Sequence, residues 1–253
     1  MKIGAQLYTV RDFCKTKEDF SETLKKVADI GYTTVQVSGT CEYEAEWLKN
    51  ELSKTGLKCV LTHYNLDKIK NSPKETADFH KVFDCKYVGI GALPGGPDGL
   101  EKFDEFVNDF LPSAKILKEN GAYLMYHNHN FDLCHIEPKV TYLERMAEIF
   151  GEENLGITLD TYWVQAGGAS ITEWLEKLKG RVPCIHLKDM SVYKMEQRMA
   201  SVGSGNINFE KVIEKAEEAQ TEYLLVEQDD CYGKDPFDEL KNSYSYLRSL
   251  GLN

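Results

Sequence analysis

Tyr123-Leu-Met-Tyr-His-Asn-His129 joins a short apolar run to a pair of histidines. Three other short runs end in the same manner. Gly156-Ile-Thr-Leu159 precedes Asp160, Val182-Pro-Cys-Ile185 precedes His186, and Tyr223-Leu-Leu-Val226 precedes Glu227. Four strand tips that each deliver a metal-binding side chain imply one metal site at one end of a parallel barrel.

Outward from these runs, strand-like and helix-like segments alternate along the whole chain. The strand candidates are Ile3–Tyr8, Thr34–Val37, Lys58–Thr62, Tyr87–Ile90, Ala122–Tyr126, Gly156–Leu159, Cys184–Leu187 and Tyr223–Val226. Amphipathic segments separate them. Phe20, Leu24, Val27 and Ala28 fall on one helical face, as do Phe209, Val212, Ile213 and Ala216. Gly31, Gly56, Gly121 and Gly180 stand where helices should stop, and Asp235-Pro236 opens the last one. Pro94-Gly-Gly-Pro-Asp-Gly99 is the clearest loop. Eight such units in 253 residues predict an α/β fold, a (β/α)8 TIM barrel forming a single domain over residues 1–253. The alternative, a doubly wound open sheet, lacks a G-x-G-x-x-G after the first strand.

The formal charge of −11 and pI near 5.1 argue against a nucleic-acid partner, whose phosphates require Lys and Arg. Seven scattered cysteines, none in a C-x-x-C pair, read as reduced thiols, with Cys59 and Cys184 in the core. No apolar stretch approaches the ~20 residues of a membrane span, and no secretory h-region opens the chain. A cytoplasmic protein with no membrane partner is expected; a homo-oligomer is left open.

The expected ligand set is His127 (or His129), Asp160, His186 and Glu227. Alternation along a strand lets His127 and His129 point one way while Asn128 points the other. Mixed imidazole and carboxylate ligands suit one divalent ion of the Mn, Fe, Co or Zn type. Each residue also has a plainer reading: Asp160 as a helix cap, His186 as a satisfied core residue, Glu227 as a solvated side chain. Their coincidence at strand ends favours the metal. Lys188 could stabilise an enolate oxygen, or form a surface ion pair. Asp229 could orient a ligand, His63 contact substrate, and Tyr162 and Trp163 stack on a sugar. Gln6 and Gln36 read as polar groups of the barrel interior. Backbone N–H groups of Gly203-Ser-Gly205 could bind phosphate, although a plain turn is the simpler reading.

At these residues the chain resembles the xylose-isomerase-like barrel superfamily of sugar isomerases, epimerases and dehydratases. The marks are Gln6-Leu-Tyr-Thr-Val-Arg11, Val35-Gln-Val-Ser-Gly39, Tyr126-His-Asn-His129, Leu159-Asp-Thr-Tyr-Trp-Val-Gln-Ala-Gly-Gly168, His186-Leu-Lys-Asp189, Val202-Gly-Ser-Gly205 and Val226-Glu-Gln-Asp229. The resemblance implies a divalent metal, Mg now included, at the strand ends. It also implies similarity to inosose dehydratase and the keto-sugar epimerases. Those epimerases carry Glu where this chain has His127, so a second base would have to be His127, His129 or Asp132. The expectation is a metal-dependent isomerase, epimerase or lyase that acts on a sugar or keto-sugar. Glu227 or His129 would remove the proton and Lys188 would assist. A non-catalytic sugar-binding barrel or partner subunit is the alternative. An apurinic endonuclease-like phosphodiesterase is disfavoured by the acidic balance and single ligand set.

Overall fold

The computed structural model describes residues 1–94, 96 and 99–252. The chain runs β1 (Lys2–Gln6), α1 (Lys17–Ile30), β2 (Thr34–Val37), α2 (Ala45–Thr55) and β3 (Lys58–His63). It continues through α3 (Leu66–Asn71), α4 (Pro73–Val82), β4 (Tyr87–Ile90), α5 (Leu100–Glu119) and β5 (Tyr123–His127). A small antiparallel pair, β6 (His135–Glu137) and β7 (Val140–Thr141), leads to α6 (Tyr142–Phe150) and β8 (Leu155–Asp160). Then come α7 (Thr161–Ala166), α8 (Ile171–Lys177) and β9 (Cys184–Leu187). The antiparallel hairpin of β10 (Asp189–Tyr193) and β11 (Glu196–Ala200) precedes α9 (Phe209–Glu218), β12 (Tyr223–Val226) and α10 (Pro236–Ser249).

Eight strands close into a parallel barrel in the order β1-β12-β9-β8-β5-β4-β3-β2. The helices pack their apolar faces on the outside: Phe20, Leu24 and Val27 of α1 and Phe209, Val212 and Ala216 of α9 are buried. Ala28 and Ile213 are half-buried at the edge of those faces. Thr16 caps α1 by accepting from the Asp19 N–H, and Gly31 ends it at φ +119°, in the left-handed region open to glycine. A second core fills the lower barrel with Leu61, Tyr87, Met125, Cys184 and Leu225. Cys59 is buried as expected. Gly156 gives this layer its room, since a Cβ there would stand 2.5 Å from the Met125 sulfur.

Two expectations need correction. The strand expected over Ile3–Tyr8 stops at Gln6, and Leu7–Phe13 forms a 3-10 helix. The Gln6 side-chain oxygen accepts from the Tyr8 N–H and turns the chain out of the sheet. Gly121 and Gly180 lie beyond their helix caps, Asn120 and Leu178. The loop expected at 94–99 falls partly outside the described residues. Among the described residues, no helix is long and apolar enough to cross a membrane.

Candidate metal centre

The inward-facing columns of the strands pass from apolar to polar along the barrel axis. β5 presents Tyr123, Met125 and His127; β12 and the residue after it present Tyr223, Leu225 and Glu227. β9 presents Cys184 and His186, and β8 Gly156, Thr158 and Asp160. Alternation places the polar ends together at the carboxyl mouth. His127, Asp160, His186 and Glu227 are all buried, with one ligand atom from each lying within 4.8 Å of the others. These four can hold a metal ion.

The hydrogen bonds behind the cluster set its polarity. Gly91 O accepts from His127 Nδ1–H at 2.9 Å, which turns the Nε2 lone pair toward Asp160 Oδ2 at 3.1 Å. Gln36 Oε1 accepts from His186 Nε2–H at 2.6 Å, which turns Nδ1 toward Glu227 Oε2 at 2.8 Å. An imidazole nitrogen set against a carboxylate oxygen calls for a proton or another cation between them. Glu227 Oε2 and His186 Nδ1 are buried without an aligned hydrogen bond. Burial pulls the His186 imidazole down, but Glu227 and Asp160 outweigh it and lift it to about 8. His127 is lowered, first by burial and then by His186.

Asp160 combines its plain and functional readings on different atoms. Oδ1 caps α7 by accepting from the Trp163 N–H at 3.0 Å, while Oδ2 faces the cluster. Asn128 points away from its neighbouring histidines and accepts from the Asp160 N–H at 2.9 Å. Sequence reading passes over Asn128 because an Asn between two histidines looks like a spacer.

Lys188 is buried with Nζ 3.1 Å from Asp160 Oδ2, 2.9 Å from Glu227 Oε2 and 3.0 Å from Asp229 Oδ2. It is an interior ion-pair network, not the surface pair held as the alternative. Burial alone would raise the Asp160 and Glu227 carboxyls; Lys188 and the imidazoles outweigh it and hold both well below their usual range. Three carboxyl groups, those of Asp160, Glu227 and Asp229, gather around one ammonium, an acidic balance that favours a further proton or cation. Burial and the Glu227 charge push the Asp229 carboxyl up to about 7, against the pull of Lys188.

A cavity of about 300 Å³ opens over the cluster, lined by Tyr8, Ser38, His63, His129, Lys188 and Asp229 among others. His63 Nε2, His129 Nδ1 and Asp229 Oδ1 have no partner. His129 stacks on Phe131 and is pushed down to about 3 by burial and then by His127, so its imidazole is neutral. Trp163 stands 5.2 Å from His129, its indole N–H unpartnered. Tyr8 and Ser38 lie in stretches that mark the family resemblance, but no role is expected of either from sequence. Asp132, weighed as a base or ligand, is elsewhere. It accepts from the Tyr126 O–H and the His129 N–H at 2.7 Å each and braces the turn after β5. Gly203-Ser-Gly205 offers no open anion cradle, because Asp189 accepts from the N–H groups of Gly203, Gly205 and Ile207. His80 is a satisfied core histidine and His135 is exposed.

Fold and site together define a (β/α)8 barrel with a buried His-Asp-His-Glu centre at the carboxyl ends of its strands. The model of the xylose isomerase-like TIM barrel family matches residues 24–250, and the chain belongs to that family. An inosose dehydratase from Mesomycoplasma hyopneumoniae (strain 7448) is 23% identical, over 91% of this chain and 88% of its own. A crystal structure of a sugar phosphate isomerase/epimerase from Parabacteroides distasonis ATCC 8503 superposes with a TM-score of 0.80 at 23% identity. That match covers 98% of this chain and 94% of the other. The probable 3-DHS dehydratase involved in petrobactin synthesis from Bacillus anthracis gives 0.74 at 17% identity, covering 98% and 99%.

Proposed function

We propose that the protein is a divalent-metal-dependent sugar isomerase, epimerase or eliminating lyase that removes a proton beside the carbonyl of a sugar or keto-sugar. The carrying observation is the buried cluster of two imidazoles and two carboxylates beneath a cavity with unpartnered polar groups. His127, Asp160, His186 and Glu227 would hold the ion. A bound Mn, Co, Zn, Fe or Mg would supply Lewis-acid polarisation of the substrate oxygens.

The chain's own residues complete the chemistry. His129, neutral and open at Nδ1, takes the proton from the carbon next to the carbonyl. The electron pair moves toward the carbonyl oxygen, where the Lys188 ammonium opposes the developing charge. His129 then returns the proton. Delivered to a departing hydroxyl it releases water; delivered to the neighbouring carbon, while the hydroxyl proton passes from one substrate oxygen to the other, it completes an isomerisation. Glu227 is tied to Lys188 and His186, whereas His129 Nδ1 is open to the cavity. His63, Trp163 and Asp229 bind substrate hydroxyls. The relatives include both a dehydratase and a sugar phosphate isomerase/epimerase.

The test is solvent-deuterium incorporation into a panel of keto-sugars by metal-loaded protein. His129→Ala should keep the metal and lose exchange by about 10²-fold or more. A protein that binds no divalent metal, with Asp160→Ala indistinguishable from the parent, ends the proposal. Stabilisation by sugar with neither exchange nor turnover supports a non-catalytic binder instead.

A further inference from the structure

We propose that Cys59 and Cys85 form a paired redox site, at which a peroxide converts two thiols of the folded chain into a disulfide. The site is separate from the metal centre and does not depend on how that centre is read.

The two sulfurs are already in contact, with Cys59 Sγ and Cys85 Sγ 3.9 Å apart. Adjacent parallel strands bring them together. Leu61 of β3 faces Tyr87 of β4, and each cysteine stands two residues before one member of this pair. Neighbouring strands run about 4.8 Å apart, inside the Cα separation of ~4.4–6.8 Å that disulfides span. The surroundings of the two thiols match. Cys59 donates to Leu61 O at 3.4 Å, and Cys85 donates to Tyr87 O at 3.5 Å. These are weak bonds that a side-chain rotation gives up easily. Rotation has to bring the sulfurs about 2 Å closer to reach the S–S bond length of ~2.05 Å. The other thiols are placed differently: Cys134 is exposed, and Cys184 belongs to the core inside the barrel.

Access comes from the side of Cys85. Its residue lines a surface recess of about 170 Å³ together with Ala77 and Lys81 of α4, Lys86 and Asn120. The recess lies where β4 and β5 begin, at the end of the barrel opposite the metal centre. Cys59 is buried behind it. A peroxide is small enough to enter such a recess, and a larger oxidant is not needed.

The chemistry has two steps. The Cys85 thiolate attacks one peroxide oxygen, the O–O bond breaks, and the departing hydroxide takes up the thiol proton as water. Cys85 is then a sulfenic acid. Cys59 sulfur attacks the Cys85 sulfur, the S–O bond breaks, and the hydroxyl leaves with the Cys59 proton as a second water. Two thiols and one hydrogen peroxide give one disulfide and two waters. Burial pushes the Cys85 thiol up, so thiolate is scarce and the reaction is slow. The bond joins residues 26 positions apart and ties β3 to β4 around α3 and α4.

The experiment treats the reduced, folded full-length chain with hydrogen peroxide, blocks remaining thiols by alkylation in urea, and maps disulfide-linked peptides by mass spectrometry. The Cys59–Cys85 link should be at least roughly tenfold more abundant than any other, and dithiothreitol should remove it. Cys59→Ser and Cys85→Ser should each abolish it, whereas Cys184→Ser should keep it. The parent chain unfolded in urea before the same treatment should give links scattered over the other cysteines, so the result does not rest on the serine variants folding. The proposal is overturned if the folded parent forms no such link, if its links scatter, or if the unfolded chain forms this link in the same proportion. Sulfinic acid at Cys85 without a link to Cys59 overturns it as well.

Discussion

His186 Nε2 and Gln36 Oε1 meet at 2.6 Å inside the barrel, joining two residues that are 150 positions apart in the chain. The amide oxygen only accepts, so it holds a proton on Nε2 and leaves Nδ1 as the nitrogen that faces Asp160 and Glu227 and can give up its proton to a metal. Gln36→Leu removes this restraint and leaves a buried N–H unpaired. Metal affinity should fall about 10–100-fold by calorimetric titration. Gln36→Glu, which keeps the acceptor, should retain most of it. Equal affinity in parent and Leu variant would show that Gln36 does not set the tautomer.

Lys188 contacts the same Asp160 and Glu227 oxygens that a metal would use. Its ammonium therefore stabilises the metal-free cluster and repels an incoming cation. Lys188→Met should bind divalent metal about tenfold more tightly, a change of ~1.4 kcal/mol. The metal-free variant should melt lower, because breaking a buried ion pair strands its partners. The metal-induced rise in melting temperature should be correspondingly larger, while turnover falls. Weaker metal binding in this variant would place Lys188 as a support of the ligands and not their competitor.

The barrel is legible in the sequence because its strands are short, apolar and regularly spaced, and the inward columns of β5, β8, β9 and β12 end in polar residues. Thr34–Val37, Tyr87–Ile90, Cys184–Leu187 and Tyr223–Val226 match the observed strands at both ends. The four residues of the buried cluster are legible for the same reason, since strand ends in such a barrel converge. What escapes is whatever depends on pairing across the barrel: Gln36 with His186, Gly91 with His127, Ser38 with His63. A single strand holds no information about which neighbour its polar residue will face. Asp132 shows the reverse error. A carboxylate three residues from His129 looks available, yet the turn folds it back onto its own backbone.

Asp189 and the glycines of residues 203–205 make the same point energetically. One carboxylate accepts from the N–H groups of Met190, Gly203, Gly205 and Ile207. Asp189→Ala should destabilise the chain by about 3 kcal/mol in urea denaturation, through the loss of acceptors for several partly buried donors. Inorganic phosphate should raise the melting temperature of this variant more than that of the parent, because the vacated N–H groups then accept an anion. An identical phosphate response in the two proteins would show that the loop has no latent anion site.

His80 packs against the rings of Tyr64 and Phe79, its Nδ1–H donated to Thr76 O and its Nε2 facing Thr62 Oγ1 at 2.8 Å. Burial pushes its imidazole down to about 4, against a smaller upward pull from the Thr76 carbonyl. The ordinary histidine value of ~6.5 applies in the unfolded chain. The folded state therefore resists the proton that the unfolded state accepts. This contribution to stability is complete above about pH 6.5 and is lost as pH falls toward 4. Two and a half pH units correspond to ~3 kcal/mol. Other groups titrate in the same range, and Asp132, raised to about 7 by burial, acts with the opposite sign. The difference between parent and His80→Gln isolates the histidine. Urea denaturation of both from pH 7 to pH 4 should show the parent losing about 3 kcal/mol more than the variant. Parallel pH profiles would mean that His80 takes up its proton as readily in the folded chain as in the unfolded one.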